Sequence, residues 1–371
     1  MELCTYPLHS ISMEQAKALQ FKVIDTITRH FDGREVLSLG DLGVVPGLNK
    51  PTTTQKAEAV FAEVFGAEQA QLVRGSGTGA LRWALLAALK PGDTLLVHAA
   101  PIYPTTKVTI DGMCLKLVQA DFNDPQALAQ VLEAHKDELK GALVQHTRQK
   151  PDDSYDLETV IRQIKTALPH IPVITDDNYA AMKVEKIGCQ AGADLATFSC
   201  FKVLGPEGVG VLLGSKQYVE AARAYQYSGG SQVQGFEAMA ALRGLVYAPV
   251  ALAVQSEVNE ELVRRLNAGE VPGVKGAFLA NAQSKVLLVE FEEECAADVL
   301  AVTPSLGAAS HPVGSESIYE FVPMIYRISG TFRAQDPTLE RRMIRINPMR
   351  SGPDTIIRIL RQALEQVKEG K

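Results

Sequence analysis

From Thr53 onward the chain alternates short apolar runs with amphipathic stretches, and that order leaves few folds open. TTQKAEAVFAEVF reads as a helix, AQLVR as a strand, and GALRWALLAAL as a helix behind a glycine-rich turn. LLVH, LKLVQA, GALVQ, PVIT and LATFS follow as strands, several separated by helical stretches such as PQALAQVLEAH and DLETVIRQIKTAL. Such alternation builds an α/β fold, a mostly parallel central sheet with helices on both faces. After GVGVLLG the pattern turns helical to about Leu266. The tail then reads as strand (SKVLLVEF), helix (AADVLAV), strand (RRMIRIN) and closing helix (DTIIRILRQALEQV), a smaller C-terminal α+β domain. The 371 residues are enough for this division. The expected parts are an N-terminal arm over 1–50, a large domain over 51–255 and a small domain over 256–371, with the boundary between 245 and 265.

Charge and cysteine usage exclude several function classes. The formal charge is −6, from 37 basic and 43 acidic side chains, the opposite of the bias that phosphate neutralisation favours. No nucleic-acid partner is expected. Five cysteines (4, 114, 189, 200 and 295) form no CxxC pair, so neither a disulfide frame nor a metal site is expected. The longest uncharged stretch, Val299 to Ser315, is broken by Pro304 and Pro312, which excludes it as a membrane span. Glu2 follows Met1 with no basic, then apolar, leader behind it. The expectation is a soluble cytoplasmic protein.

Three segments carry candidate chemistry. Gly75-Ser76-Gly77-Thr78-Gly79-Ala80 lies between a strand and a helix, where small residues let backbone N–H groups approach an anion. The run also fits GxGxxA, but a dinucleotide site wants an acid closing the next strand, and His98 stands there while Asp93 precedes it. A phosphate cradle is the stronger expectation; a tight packing turn is the plain alternative. Asp176 follows the apolar run PVIT, at the strand end where open α/β sheets bind ligands. Its neighbour Asp177 must point another way. Either could instead be a turn or cap residue. Lys202 follows a buried strand and precedes a Gly/Pro turn, where burial would lower its pKa and supply a neutral amine. A lone lysine of this kind is more often structural.

Together, cradle, acid and a lysine 26 residues later resemble pyridoxal 5′-phosphate (PLP) enzymes of fold type I, the aspartate aminotransferase-like superfamily. RGSGTGAL is similar to that family's phosphate turn, VITDDNYA to its strand-end acid motif, and FSCFK with GPEGVGVLLG to its lysine motif and following strand. GDLGVVPGLN, QHTRQKP, DDNYAAMKV, TFSCFK and YSGGSQVQG further resemble the YhfS-like group. The resemblance implies that Lys202 carries the cofactor as a Schiff base and then acts as general base. It implies that Asp176 pairs with the pyridine nitrogen, keeping the ring an electron sink. Ser76, Gly77 and Thr78 would hold the phosphate, the last two through backbone N–H groups, with a hydroxyl from Ser199. Tyr103 would stack on the ring. In RRMIRIN, period two places Arg341, Met343, Arg345 and Asn347 on one face and Arg342, Ile344 and Ile346 on the other. Arg345 aligns with the family's clamp for the substrate α-carboxylate, and Arg333 and Arg148 are secondary substrate candidates. Ser228, Gly229 and Gly230 resemble a loop that reaches a neighbouring subunit's phosphate in class V aminotransferases, implying a homodimer or a dimer of dimers.

The reaction is less constrained than the cofactor. The expected activity is an aminotransferase acting on a small amino acid. The alternative is a carbon–sulfur lyase or another β/γ-elimination enzyme, because DDNYA resembles the DNxFA of the cystathionine group. VPGLNKPT, however, lacks that group's Tyr-x-Arg pair. A PLP-binding protein without catalysis is the second alternative, and the complete lysine, acid and phosphate-turn motifs stand against it.

Overall fold

β6 (Leu195–Ser199) and β7 (Val209–Gly214) set the geometry that the site depends on. They are antiparallel neighbours, so a short loop joins them where a parallel pair would need a crossover. The structure is a computed structural model that describes residues 4–147, 149–281, 285–311 and 316–370. β1 (Gln69–Arg74), β2 (Thr94–His98), β3 (Lys116–Ala120), β4 (Leu139–Gln145) and β5 (Val173–Asp176) complete a seven-stranded sheet of order β1-β7-β6-β5-β4-β2-β3. β7 runs against both its neighbours, and the other pairs are parallel. The carboxyl ends of β1, β5 and β6 and the loop after β6 therefore meet at one edge.

Both sheet faces are covered, which is why β6 and β7 are buried along their whole length. On one face α3 (Ser76–Ala88), α4 (Pro104–Gly112) and α7 (Lys216–Tyr225) bring Leu81, Leu85, Ile110 and Val219 onto Ile174, Leu195 and Leu212. On the other, α2 (Thr52–Phe65) supplies Phe61 and Phe65 against Phe198 and Val209. α5 (Pro125–Ala134) and α6 (Leu157–Ala167), capped by Asp124 and Asp156, cover Val144 and Val173. The first helix, Met13–His30, begins with a capping box between Ser12 and Gln15 and packs along α8 (Gly235–Asn267).

α8 belongs to two cores. Its first half sends Met239, Leu242, Leu245 and Leu252 into the cluster around Phe198, and its second half sends Leu262 and Leu266 into a separate cluster. By length and apolar content this helix could cross a membrane, but here its apolar side chains build these two interiors. The second cluster belongs to an antiparallel sheet, order β10-β11-β9-β8, of β8 (Val274–Ala280), β9 (Val286–Phe291), β10 (Met324–Arg327) and β11 (Met343–Asn347). The closing helix, Pro353–Glu369, lays Ile356, Leu360 and Leu364 on Val289, Ile344 and Ile346. The strand expected from Arg341 begins only at Met343. Arg341 and Arg342 end a short helix, Leu339–Arg342, and pair with Glu294 and Glu290. Within β11 the alternation holds: Ile344 and Ile346 face the core, and Met343 and Arg345 face away from it.

Candidate active site

The loop after β6 presents Lys202. Ser199 caps the turn Cys200–Lys202 by accepting the Phe201 N–H at 3.2 Å. The Lys202 amine donates to the Tyr179 hydroxyl at 2.7 Å and lies 4.2 Å from the centre of that ring. Burial lowers the amine to about 8, while Glu316, Glu320, Tyr103 and Asp176 pull it upward. About a tenth of the amine is then neutral at pH 7, far more than for an ordinary lysine.

Asp176 and Asp177 diverge as extended backbone requires. Asp177 is fully buried and accepts from His146 Nδ1 at 2.7 Å, Thr175 Oγ1 at 2.5 Å and the Gly188 N–H at 3.1 Å. Asp176 instead lines a small cavity with Leu81, His98, Gln145 and Gln149. Burial pushes its carboxyl up to about 6, with Asn178 opposing and the charge of Asp177 adding to the rise. Asn178 links this acid to the phosphate turn. Its Nδ2 donates to Asp176 at 2.7 Å, its Oδ1 accepts the Ser199 N–H at 3.0 Å, and Ser199 Oγ meets Ser76 Oγ at 2.5 Å.

The turn before α3 has the form of an anion site. Gly75 and Ser76 adopt φ of 94° and 58°, and both N–H groups donate to the Gly208 carbonyl. The Gly79 N–H returns to Gly75. Among the described residues nothing accepts from the N–H groups of Gly77 and Thr78, which open the helix start. Packing forces small residues here: a Cβ on Gly77 would stand 2.5 Å from Asn178, and one on Gly210 of β7 would stand 2.1 Å from the Ser76 carbonyl. Thr78 meets Thr105 at 3.1 Å across the gap to α4, whose cap residue Tyr103 is 58% exposed at the rim. An open N-terminal cradle, a half-buried strand-end acid and a partly neutral lysine fit the phosphate, the ring nitrogen and the carbonyl carbon of PLP.

The expected substrate end is only partly assembled by the described residues. Arg345 is 8% exposed, with its guanidinium 4.0 Å over the Tyr326 ring. Burial lowers its pKa, and Tyr326 and Tyr179 act against that, so Arg345 stands within electrostatic reach of the Lys202 partner. Arg333 pairs with Glu340 at 3.5 Å. Arg148 lies outside the described residues. Ser228, Gly229 and Gly230 are exposed, and Gly229 packs toward Val44 of the N-terminal arm.

Several groups at this edge escape a sequence reading. Tyr179 and Asn178 lie inside the quoted DDNYA motif, but nothing in the motif says that the phenol meets Lys202. His98 closes β2 and points Nε2 at Asp153, 2.9 Å away, while its Nδ1 accepts the Phe122 N–H at 3.1 Å. That pattern puts the proton on Nε2. Against the push of burial, His98, Asn123 and the Lys150 N–H hold Asp153 at about 2. Asp153 in turn accepts the N–H groups of Gln149 and Lys150, fixing the loop beside Asp176.

Comparison with known proteins agrees with this geometry. Residues 48–275 match the model of the Cys/Met metabolism PLP-dependent enzymes, and residues 260–360 match a YhfS-like C-terminal domain. The chain is 53% identical to the uncharacterized protein YhfS of Escherichia coli strain K12 over 98% of this chain and 99% of that protein. The crystal structure of the PLP-dependent YhfS from Escherichia coli superposes with a TM-score of 0.95, covering 98% of this chain and 99% of that one. A cystathione gamma lyase from Micromonospora echinospora shares the fold at 19% identity and TM-score 0.68, over 85% of this chain and 87% of that one. A carbon-sulfur lyase involved in aluminum resistance, from Clostridium novyi NT, does so at 17% identity and TM-score 0.72, over 96% and 91%. The chain belongs to the Cys/Met metabolism PLP-dependent enzymes, with PLP as its cofactor and a YhfS-like C-terminal domain.

Proposed function

We propose that the protein eliminates a thiol from a sulfur-containing amino acid, so that substrate and water yield a thiol, ammonia and a 2-oxo acid. The reading departs from the aminotransferase favoured by sequence motifs alone. The observation that carries it is the Lys202–Tyr179 hydrogen bond at 2.7 Å, in a chain of the Cys/Met metabolism family. Bound PLP supplies a sink for the electron pair left when the α-carbon loses its proton. Lys202 takes that proton, and its lowered pKa supports the role. The departing sulfur also needs a proton, and Tyr179 is the second carrier within reach. Transamination moves one proton between two carbons and needs no such second group.

The remaining residues bind and orient. Asp176 would pair with the ring nitrogen; Gly77 and Thr78 would give N–H groups to the phosphate, joined by the Ser76 and Ser199 hydroxyls. Tyr103 would stack on the ring. Arg345 clamps the α-carboxylate with its planar fork, and Arg333 is a secondary contact. The working unit is a homodimer. In support, Leu37, Leu39, Leu42, Tyr227, Phe236 and Tyr247 are exposed, and the arm that carries the leucines is bonded to the start of α8 through Asp41–Gly235 and Gln234–Gly43.

The test is to incubate PLP-loaded protein with cystathionine, cysteine, homocysteine and methionine. Release of thiol, ammonia and 2-oxo acid in equal amounts is expected from at least one of them. Amino-group transfer to an added 2-oxo acid, without ammonia, would overturn elimination in favour of transamination.

A further inference from the structure

Tyr103 follows a segment with little backbone support of its own. Of Pro101 and Ile102, only the Pro101 carbonyl is hydrogen-bonded among the described residues, and its partner is Gln149, whose Nε2 donates at 2.8 Å. On the far side of Tyr103, Thr105 meets Thr78 of the phosphate turn at 3.1 Å. Side-chain bonds therefore flank the tyrosine, one from the loop after β4 and one from the start of α3.

Gln149 is itself held. Asp153 is fully buried and accepts the N–H groups of Gln149 at 3.0 Å and Lys150 at 2.7 Å. His98 Nε2 at 2.9 Å and Asn123 Nδ2 at 3.0 Å fix that carboxylate in turn. At the other end of the loop the Tyr155 hydroxyl donates to the Gln145 carbonyl. Gln149 and Ile102 also line the small cavity that Asp176 lines. A loop fixed at both ends thus carries one amide from beside the strand-end acid to the residue two before the tyrosine.

We propose that Gln149 is a positioning residue for the cofactor site, bracing the segment from Pro101 to Tyr103 so that Tyr103 is set in place before PLP arrives. The inference rests on the reading of Tyr103 as the residue that stacks on the ring, and it holds for elimination and transamination alike. A segment ordered in advance has little freedom left to lose on binding, so the brace strengthens affinity without touching the cofactor. Because Gln149 acts through Tyr103, its contribution must vanish when the tyrosine ring is absent.

A double-mutant cycle on PLP affinity tests this, with full-length protein freed of cofactor and then titrated with PLP in equilibrium dialysis. Gln149→Met keeps the length of the side chain and removes the donor. It should weaken PLP binding about threefold, the scale of one partly exposed hydrogen bond, and should add nothing in a Tyr103→Ala background. At saturating PLP, the visible circular dichroism of the bound cofactor should shrink in Gln149→Met as it does in Tyr103→Ala. That signal reports how the ring is held, and a loss of stability alone would leave it in place. Far-ultraviolet circular dichroism checks the fold, and Gln149→Leu takes the place of Gln149→Met if the latter is unfolded. Unchanged affinity in the folded Gln149 variant, or the same loss in both backgrounds, overturns the brace and leaves the stacking of Tyr103 standing. Unchanged affinity in Tyr103→Ala overturns the stacking reading and the proposal together.

Discussion

At the scale of single residues, Lys202 and Asp176 are both held away from their ordinary pKa values, in opposite directions and for one cause. Burial disfavours the charged form of each, lowering the amine to about 8 and raising the acid to about 6. The raised acid makes the cofactor-free protein less stable at neutral pH. A carboxyl that binds its proton more tightly when folded contributes its full share below its ordinary value of 3.8, and loses it as pH climbs through about 6. Asp176→Asn should therefore raise the melting temperature of the cofactor-free protein at pH 7–8, by the equivalent of about 3 kcal/mol, and change little near pH 3. In the PLP-loaded protein the same change should weaken cofactor retention. Melting curves across pH, with and without PLP, check both arms, and equal effects at pH 3 and pH 8 would count against the account. Lys202→Ala should leave the fold intact and abolish the borohydride-reduced cofactor adduct, with mass spectrometry of the wild type mapping it to Lys202. Both residues were legible from motif order, and strand alternation foretold that Asp176 and Asp177 would part. Tyr179 was not, because its place depends on a left-handed backbone, φ 65°, that only the surrounding packing imposes.

At the scale of elements, the reversal of β7 brings Lys202 to the phosphate turn. Alternating apolar runs announce strands and helices, but direction within the sheet has no local signature. GPEGVGVLLG reads alike in either sense. The reversal also explains Gly210 of β7, since α3 begins directly against that strand. Gly210→Ala would drive a methyl to 2.1 Å from the Ser76 carbonyl, so the helix start must shift. Overpacking of this kind costs about 1–3 kcal/mol. The variant is expected to lose affinity for PLP in fluorescence titration as well as thermal stability. Gly112→Ala, where nothing lies within 4 Å of the added carbon, is the matched control and should stay within about 0.5 kcal/mol of wild type. Equal behaviour of the two would remove the packing argument. β11 shows the opposite limit of sequence reading. Its alternation placed Arg345 on the correct face, whereas the helical turn before it hid where the strand begins.

For the whole molecule, the order of a large α/β part and a smaller α+β part was legible, and the join between them was not. α8 crosses from one core to the other without a break, so no linker composition marks the change. Resemblance alone implied the proposed dimer, and the exposed arm is where a second copy would dock. Leu37, Leu39 and Leu42 are 82%, 78% and 72% exposed, each far more than an isolated chain would be expected to leave open in one short segment. Gly40 presses on Gly235, where a Cβ would stand 2.4 Å from the backbone, so the arm lies tight on the start of α8 with its leucines turned outward. A second copy covering that face would bury them together with Tyr227 and Phe236, beside the exposed Ser228–Gly230 turn. Sedimentation equilibrium of the wild-type protein should then give the mass of two chains. Leu39→Asp combined with Leu42→Asp should release single chains without unfolding them, because neither side chain contributes to an interior core. If the Ser228–Gly230 turn completes the partner's phosphate site, the released chains should also bind PLP more weakly than the dimer. A wild-type protein that sediments as one chain overturns the assembly outright. Released chains that hold PLP as tightly as the dimer would instead confine the phosphate site to residues of a single subunit.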